Sequence, residues 1–224
     1  MLSNNGQATV KRRSKGEKTK YLILKSAIVM LAQHGIKGTT HRAIAAHANI
    51  QLSLTTYYFK DIQELIQQAF ELNSDKTINA LEPLWQPVLN LLDTQSKTAL
   101  RKVSVRVELR DALTDLLLAL IASECNNNRQ QLIVEQQLLS EIQVSPALTA
   151  IAEHNYNAQL QPCQQICQLF TREEDSANIK AQLLYTIIKQ CQYRQLFANA
   201  SSTNYDNIRQ LLHQTLALVL AIRP

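Results

Sequence analysis

Residues 37–60 read KGTTHRAIAAHANIQLSLTTYYFK and place hydroxyls, an amide, a guanidinium and an ammonium on two short helical patterns that meet at a tight turn. Such groups suit hydrogen bonding to a polar, grooved, anionic partner better than bond making. The second pattern sets Gln51, Ser53, Thr55, Thr56, Tyr57 and Tyr58 around Leu52 and Leu54. A chain with ample Leu elsewhere has no packing reason to write small polar residues where a core helix would be apolar.

Other residues with chemical capacity lack partners at useful spacing. Cys163 and Cys167 stand one helical turn apart, but no nearby acid or histidine completes a metal or redox site, so they read as small buried hydrophobes. His34 and His47 lack a third ligand. Glu135 and Gln136 fall within an apolar stripe formed by Leu132, Leu139 and Ile142. A carboxylate there must be paired, with Arg106 or Arg110 as candidates, or else must read a polar group of a ligand. No phosphate-cradling glycine loop and no Ser/His/Asp set stands out. The sequence therefore implies neither an enzyme nor a cofactor.

The elements that position the 37–60 stretch can be read residue by residue. Thr39 and Thr40 precede a short helix over 41–48, and either hydroxyl can cap it. Ile44, Ala45 and Ala48 give that helix a narrow apolar stripe. Asn49 tolerates a left-handed backbone and ends it. Ile50 plugs the corner, and Gln51 opens the second helix, which closes at Phe59. Helix, tight turn and helix with inward apolar pins is the layout of a helix-turn-helix, whose second helix enters the major groove. An ordinary corner inside a helical bundle has the same outline.

Residues 23–65 resemble the N-terminal domain of the TetR family of bacterial transcription regulators. Ile23-Leu24, Ala27, Gly35, Thr39-Thr40, Ile44-Ala45, Ala48, Ile50, Tyr57, Phe59 and Leu65 fall at that family's spacing. The run from Leu52 to Phe59 is similar to the family's Leu-Gly-Ser-Thr-Thr-Tyr-His-Phe variant. Asn49 and Ser53 stand where Gly is usual. Ile62 stands where many members carry a phosphate-binding Lys, for which Lys60 is the nearest substitute. The resemblance implies an all-α fold, with an N-terminal three-helix helix-turn-helix DNA-binding domain followed by a larger helical ligand-binding and dimerisation domain. It also implies a homodimer on a palindromic operator in double-stranded DNA, acting as a repressor released by a small-molecule effector. The alternative is a ligand-independent regulator whose C-terminal domain docks another protein.

On this reading Thr40 and Tyr57 offer hydroxyls to phosphates and Lys60 adds a charged contact. Arg42 reaches a phosphate or a guanine edge, while Gln51, Ser53 and Thr56 read bases. Leu54 touches a thymine methyl if exposed. Thr39, His41, Leu52 and Tyr58 complete the expected DNA-binding surface.

Charge supports the assignment. The chain of 224 residues carries +5 overall, but residues 1–60 hold ten Lys and Arg against Glu17 alone, a net of +9. The remaining 164 residues hold 13 basic and 17 acidic side chains, a net of −4. Positive charge concentrated on the segment with the helix-turn-helix suits a polyanion. No apolar run reaches membrane-spanning length, the N-terminus lacks a signal-peptide core, and the four cysteines, Cys125, Cys163, Cys167 and Cys191, include no CxxC pair. These features imply reduced thiols and a cytoplasmic protein with no membrane partner.

Along the chain, residues 1–16 read as a flexible basic arm, with Arg12 and Arg13 placed to reach a minor groove. The DNA-binding domain follows over 17–62 and the effector-binding and dimerisation domain over 63–224. All four glycines lie at or before Gly38, so the remainder is easier to write as helices than as hairpins. Asp61 caps a helix reaching about Leu81, where Pro83 and Pro87 are expected to break it around Trp85. Trp85 reads as core or as pocket lining; Glu135, Gln136, His154, Tyr156 and Tyr185 are the other expected pocket residues. The last two helices, over 176–198 and 205–222, are apolar around most of their circumference, which implies burial on two sides. Leu184, Ile188, Cys191, Ile208, Leu211, Leu212, Thr215 and Val219 are the expected dimer interface.

Overall fold

The computed structural model of the chain describes residues 5–142, 146–197 and 205–222, with side chains over 15–142, 146–196 and 205–222. Its regular structure is helical throughout: α1 (Asn5–Gly38), α2 (His41–Ala48), α3 (Leu52–Tyr58), α4 (Ile62–Asp93), α5 (Val103–Asn127), α6 (Arg129–Glu141), α7 (Thr149–Phe170), α8 (Glu174–Phe197) and α9 (Tyr205–Val219). Short 3-10 turns lie at Ala99–Arg101 and Pro146–Leu148. Two compact units share the chain: Met1–Asp75 with Ile133–Ala152, and Lys76–Leu132 with Glu153–Pro224.

In the first unit, α1 turns Ile23, Ala27, Met30 and Leu31 inward at helical spacing, against Ile44 of α2 and Phe59. The expected domain boundary at 62/63 does not coincide with the edge of this unit. Leu65, Ile66, Ala69 and Phe70 of α4 are buried in its core, as are Val134 and Leu138 of α6. On α6 the stripe has a different phase from the one expected, because Leu139 is exposed while Val134 and Leu138 take the inward positions. The stretch expected as a flexible arm is helical from Asn5. Ala8, Lys11, Arg12 and Arg13 are adequate helix formers without a proline, and a missing apolar face removes packing, not helical propensity. The side chains of Arg12 and Arg13 lie outside the described residues.

Two glycines set the entry to the site. Gly35 has φ 66° and ψ −177°, a region that only glycine occupies without strain, and it interrupts α1 where the sequence reading ended the first helix. Gly38 is required by space instead, since a Cβ there would stand 2.5 Å from the Cβ of His34.

In the second unit α4 continues to Asp93 through both prolines, so the expected break near Leu81 does not occur. Each proline removes one backbone donor, but Leu81, Trp85, Val88 and Leu92 share the face that α4 buries, and that burial outweighs the lost bonds. α5 and α9 form the centre of this core, with Leu113, Leu117, Ile121, Leu212, Leu216 and Val219 almost wholly enclosed. Seven of the eight residues expected at a dimer interface are also buried in it: Leu184, Ile188, Cys191, Ile208, Leu212, Thr215 and Val219. Only Leu211 keeps a partly open side. The outward apolar positions on these helices are instead Ile179 and Leu183 of α8 and Leu218 of α9, exposed by 68%, 40% and 63%. The apolar arc is wide, and its inner half serves the chain's own core.

Burial also decides the cysteine chemistry. All four thiols are buried, and loss of hydration pushes Cys125 and Cys167 to about 11 and raises Cys163 and Cys191 as well. Ellman's reagent at pH 8 is therefore expected to leave the folded chain unlabelled over minutes and to titrate four thiols in urea; a rapidly reacting thiol in the folded chain would count against this. Gly35→Ala is expected to cost about 1–3 kcal/mol through backbone strain alone, because the added methyl meets nothing within 4 Å. A chemical denaturation midpoint no lower than that of the parent chain would contradict it.

Candidate nucleic-acid interface

α2 begins on a side-chain cap. The Oγ1 of Thr40 accepts from the N–H of Ala43 at 3.2 Å, so of the two adjacent threonines Thr40 is the cap. Thr39 turns the other way. It is 2% exposed, and its hydroxyl donates to the carbonyl of Gly35 at 2.8 Å. Thr39 thus fixes the reversal after α1 and is withdrawn from the expected DNA-binding surface.

The end of α2 shows why Asn49 replaces glycine there. Asn49 adopts φ 51° and ψ 50°. Its N–H donates to Ala46 at 3.2 Å, and the N–H of Ile50 donates back to Ala45 at 3.0 Å. This pair of bonds is the Schellman arrangement, which closes a helix and turns the chain sharply. The short loop then delivers α3 at a fixed angle.

α3 has seven residues and buries one of them completely, Thr55. The Thr55 hydroxyl donates to the carbonyl of Leu52 at 2.8 Å and lies 3.0 Å from Nδ1 of His41. Since its hydrogen goes to Leu52, the hydroxyl accepts from Nδ1–H of His41. That bond ties α2 to α3. His41 is therefore a strut in the site. Thr55 was absent from the expected residues, although a Thr-Thr pair on a short helix implies that one hydroxyl faces inward.

With Thr55 inward, the rest of α3 presents outward. Gln51, Ser53, Thr56 and Tyr57 are exposed, Tyr57 by 79%, and Thr56 bonds only to the carbonyl of Ser53 within its own helix. Leu52 is more exposed than Leu54, which is half-buried, so of the two leucines Leu52 presents the more open apolar side chain. Tyr58 is half-buried and meets the ring of Tyr57 edge-on at 5.0 Å between centroids.

Beside α3 an open cleft of about 1070 Å³ brings Thr40, Arg42 and Lys60 into one wall together with Lys37. Lys37 entered the sequence reading only through the charge count. Its exposure and its position three residues before the cap make it a further cation of this surface. Asp61 and Glu64 also border the cleft but are occupied locally. Asp61 Oδ1 accepts from the N–H of Glu64 at 2.8 Å, and Glu64 Oε2 accepts from the N–H of Lys60 at 2.7 Å. This reciprocal capping fixes the start of α4 and the backbone of Lys60.

Of the residues expected to form an effector pocket, Tyr156 and Tyr185 meet edge-on with 5.1 Å between ring centroids. Trp85 and Tyr185 line an internal cavity of the second unit that is closed to about 10 Å³, room for about one water. His154 and Tyr156 are exposed, Gln136 is half-buried, and Glu135 is buried in the first unit. Arg106 and Arg110, the expected partners of Glu135, bond to the carbonyls of Leu100 and Leu220 and to Asp111 respectively. The polar lining of the cavity was missed: Gln159, Lys189 and Gln192, with Lys189 Nζ donating to Gln159 Oε1 at 3.0 Å. A lysine beside Ile188 and Cys191 on a helix with an apolar stripe was the available signal.

Among the described residues no group of three or more histidine, cysteine or acidic side chains is placed to hold a metal, and no helix is long and apolar enough to cross a membrane.

Residues 23–69 match the profile of the bacterial regulatory proteins of the tetR family. Among solved structures, a protein of Mesorhizobium loti MAFF303099 described as a TetR-family transcriptional regulator is 13% identical, with 92% of this chain and 97% of that one aligned at a TM-score of 0.64. A transcriptional regulator from Rhodococcus sp. Rha1 is 14% identical over 92% and 99% of the two chains, with a TM-score of 0.63. The multidrug binding protein EbrR, complexed with proflavin, is 19% identical over 88% and 98%, with a TM-score of 0.51. No curated protein matches the chain. At these identities the solved structures speak for the fold, and the profile speaks for the head. Residues 23–69 thus match the N-terminal domain of the tetR family of bacterial regulatory proteins, and over most of its length the chain shares the fold of solved structures described as TetR-family regulators.

Proposed function

We propose that the chain is a sequence-specific DNA-binding transcription regulator of the cytoplasm. On this reading it acts as a homodimeric repressor on a palindromic operator, with α3 in the major groove and a small-molecule effector releasing it. One observation carries the DNA-binding part. A seven-residue helix keeps a single residue, Thr55, fully buried and turns Gln51, Ser53, Thr56 and Tyr57 outward, beside a wall with Thr40, Arg42, Lys37 and Lys60. A buried corner helix would not leave Tyr57 and Leu52 exposed next to unpaired cations.

Dimerisation is supported by the outward apolar residues of the last two helices. Ile179 and Leu183 lie one turn apart on α8, and Leu211 and Leu218 lie two turns apart on α9. Leu211 was among the residues expected from sequence, and Ile179, Leu183 and Leu218 stand in for the seven that are buried. A single short recognition helix contacts too few base pairs for a specific site, and two-fold pairing doubles the reading. The effector is supported by the fold shared with EbrR, which holds proflavin. A second reading, in which the body docks another protein and no ligand is needed, is favoured by one observation, the closure of the interior cavity to about 10 Å³.

The first test is binding to the DNA upstream of the chain's own gene against a scrambled duplex across a salt series. Saturable binding to the upstream duplex at two chains per site is expected, and equal, steeply salt-dependent binding to both duplexes would reject specific readout. Tyr57→Phe removes one phosphate donor and is expected to weaken binding to every duplex by about five- to tenfold, the worth of one hydrogen bond. Gln51→Ala is expected to change base preference instead, by about 1–3 kcal/mol at one position of each half-site. Equal losses on cognate and scrambled DNA for both variants would remove these roles. Leu183→Asp with Leu218→Asp is expected to give a monomer of unchanged helicity in sedimentation; a mass still twice that of the chain would exclude this face as the interface.

A further inference from the structure

The second unit contains an opening distinct from its closed interior. A cleft of about 930 Å³ lies where the end of α4, the Ala99–Arg101 turn, the start of α5 and the last turns of α7 meet. Four cations border it, Lys97, Arg101, Arg106 and Arg172, against one carboxylate, Asp93. Among the described residues none of the four is within ion-pair distance of an acidic side chain. Two to four cations along a solvated surface would be unremarkable by number. Here they surround an apolar lining that includes Leu89, Leu100, Leu169 and Phe170, and Leu169 is 45% exposed.

Arg106 differs from the rest because it is held in place. Its Nε donates to the carbonyl of Leu100 at 2.6 Å and its Nη1 donates to the carbonyl of Leu220 at 3.0 Å. Its guanidinium carbon lies 5.9 Å from the centre of the Phe170 ring. Carbonyls and a ring face orient a guanidinium and lower its energy, but none carries the negative charge that would cancel it. The cleft thus combines a fixed cation, three exposed ones and a greasy floor, with a local charge of +3 in a portion of chain whose net charge is negative.

We propose that this cleft binds a monomeric amphipathic organic anion, an acidic head group on an apolar chain or ring. The apolar body lies over Leu100, Leu169 and Phe170, and the head is met by Arg106 with Arg101 and Arg172 at the rim. A nucleic-acid backbone supplies charge without an apolar body, and a flat lipid surface meets protruding residues better than a cavity of ligand size. The site requires neither DNA nor a second copy of the chain, so it stands or falls apart from the function proposed above.

Decanoate, held below its micelle concentration, is the probe, with binding to the full chain read by calorimetry and by the fluorescence of Trp85. Trp85 is the chain's only tryptophan and lies one turn before Leu89 on α4. Decanoate is expected to bind one per chain, with decanol and acetate each at least tenfold weaker, since one lacks the charge and the other the body. Arg101→Ala with Arg172→Ala is expected to weaken decanoate about tenfold with an unchanged circular dichroism spectrum, because neither side chain makes a hydrogen bond or ion pair that the fold uses. Asp93→Asn, which removes the one opposing charge, is expected to tighten it. Equal binding of decanoate and decanol, no decanoate binding, or unchanged affinity in the double variant would each overturn the proposal. Pelleting with phosphatidylglycerol vesicles while monomeric decanoate fails to bind would overturn it too, by assigning the cations to a membrane surface.

Discussion

A helix of two turns cannot hold itself together in water, because nucleation costs more than so few hydrogen bonds return. α3 is such a helix, and its conformation and direction are set from outside. Thr55 is the anchor: wholly buried, bonded to Leu52 within its helix and to His41 on α2. The Asn49 turn fixes the angle between the two helices, and the capping pair of Asp61 and Glu64 fixes the chain as it leaves. What α3 exposes therefore depends on residues outside it, on α2, in the turn and at the start of α4. This also explains the residue types, since the buried side of α3 needs one small hydroxyl while the outer side is free to carry Gln, Ser, Thr and Tyr.

The same constraint orders the entry to α2. The reversal between α1 and α2 has to be tight so that Thr40 can cap while Thr39 turns inward to the Gly35 carbonyl. Gly35 supplies the positive φ and Gly38 the clearance from His34, so two glycines and two threonines within six residues define one corner.

Much of this corner was legible in the sequence, because local rules govern it. Gly35 as a stop, Asn49 as a left-handed cap and Asp61 as a helix start are decisions of three or four residues, and the structure agrees with each. Thr39 against Thr40 was not decided by local rules, since both can cap and only packing chooses between them. The errors grow with distance along the chain. Pro83 and Pro87 are breakers by propensity, but α4 carries an apolar face through both, and tertiary burial overrides the signal. For α8 and α9 the periodicity was right and its meaning incomplete. An apolar arc wider than one contact implies two faces, yet period alone does not say which half is inward, and the residues named for a partner are those that fill the chain's own core. Glu135 was singled out as a carboxylate within an apolar stripe, and it is buried, but in the first unit, whereas Trp85, Tyr185 and Tyr156 gather in the second, a division that no local pattern announces.

Net charge shows the same limit from the other side. The sum of +9 over the first 60 residues points to the head, and the −4 over the rest suggests a body with no interest in anions. A field is made by where charges sit, and a segment's total averages over its whole surface. On the body Asp111 is held below the usual carboxylate range chiefly by its hydrogen bond to Arg110, with His213 adding to it, and Asp115 bonds to Arg209, so these charges cancel locally. Among the described residues Lys97, Arg101, Arg106 and Arg172 have no acid within ion-pair distance and gather at one cleft, which Asp93 alone borders with a carboxylate. An acidic segment can therefore hold a cationic site, and the site becomes visible only when the fold has shown which charges are already paired.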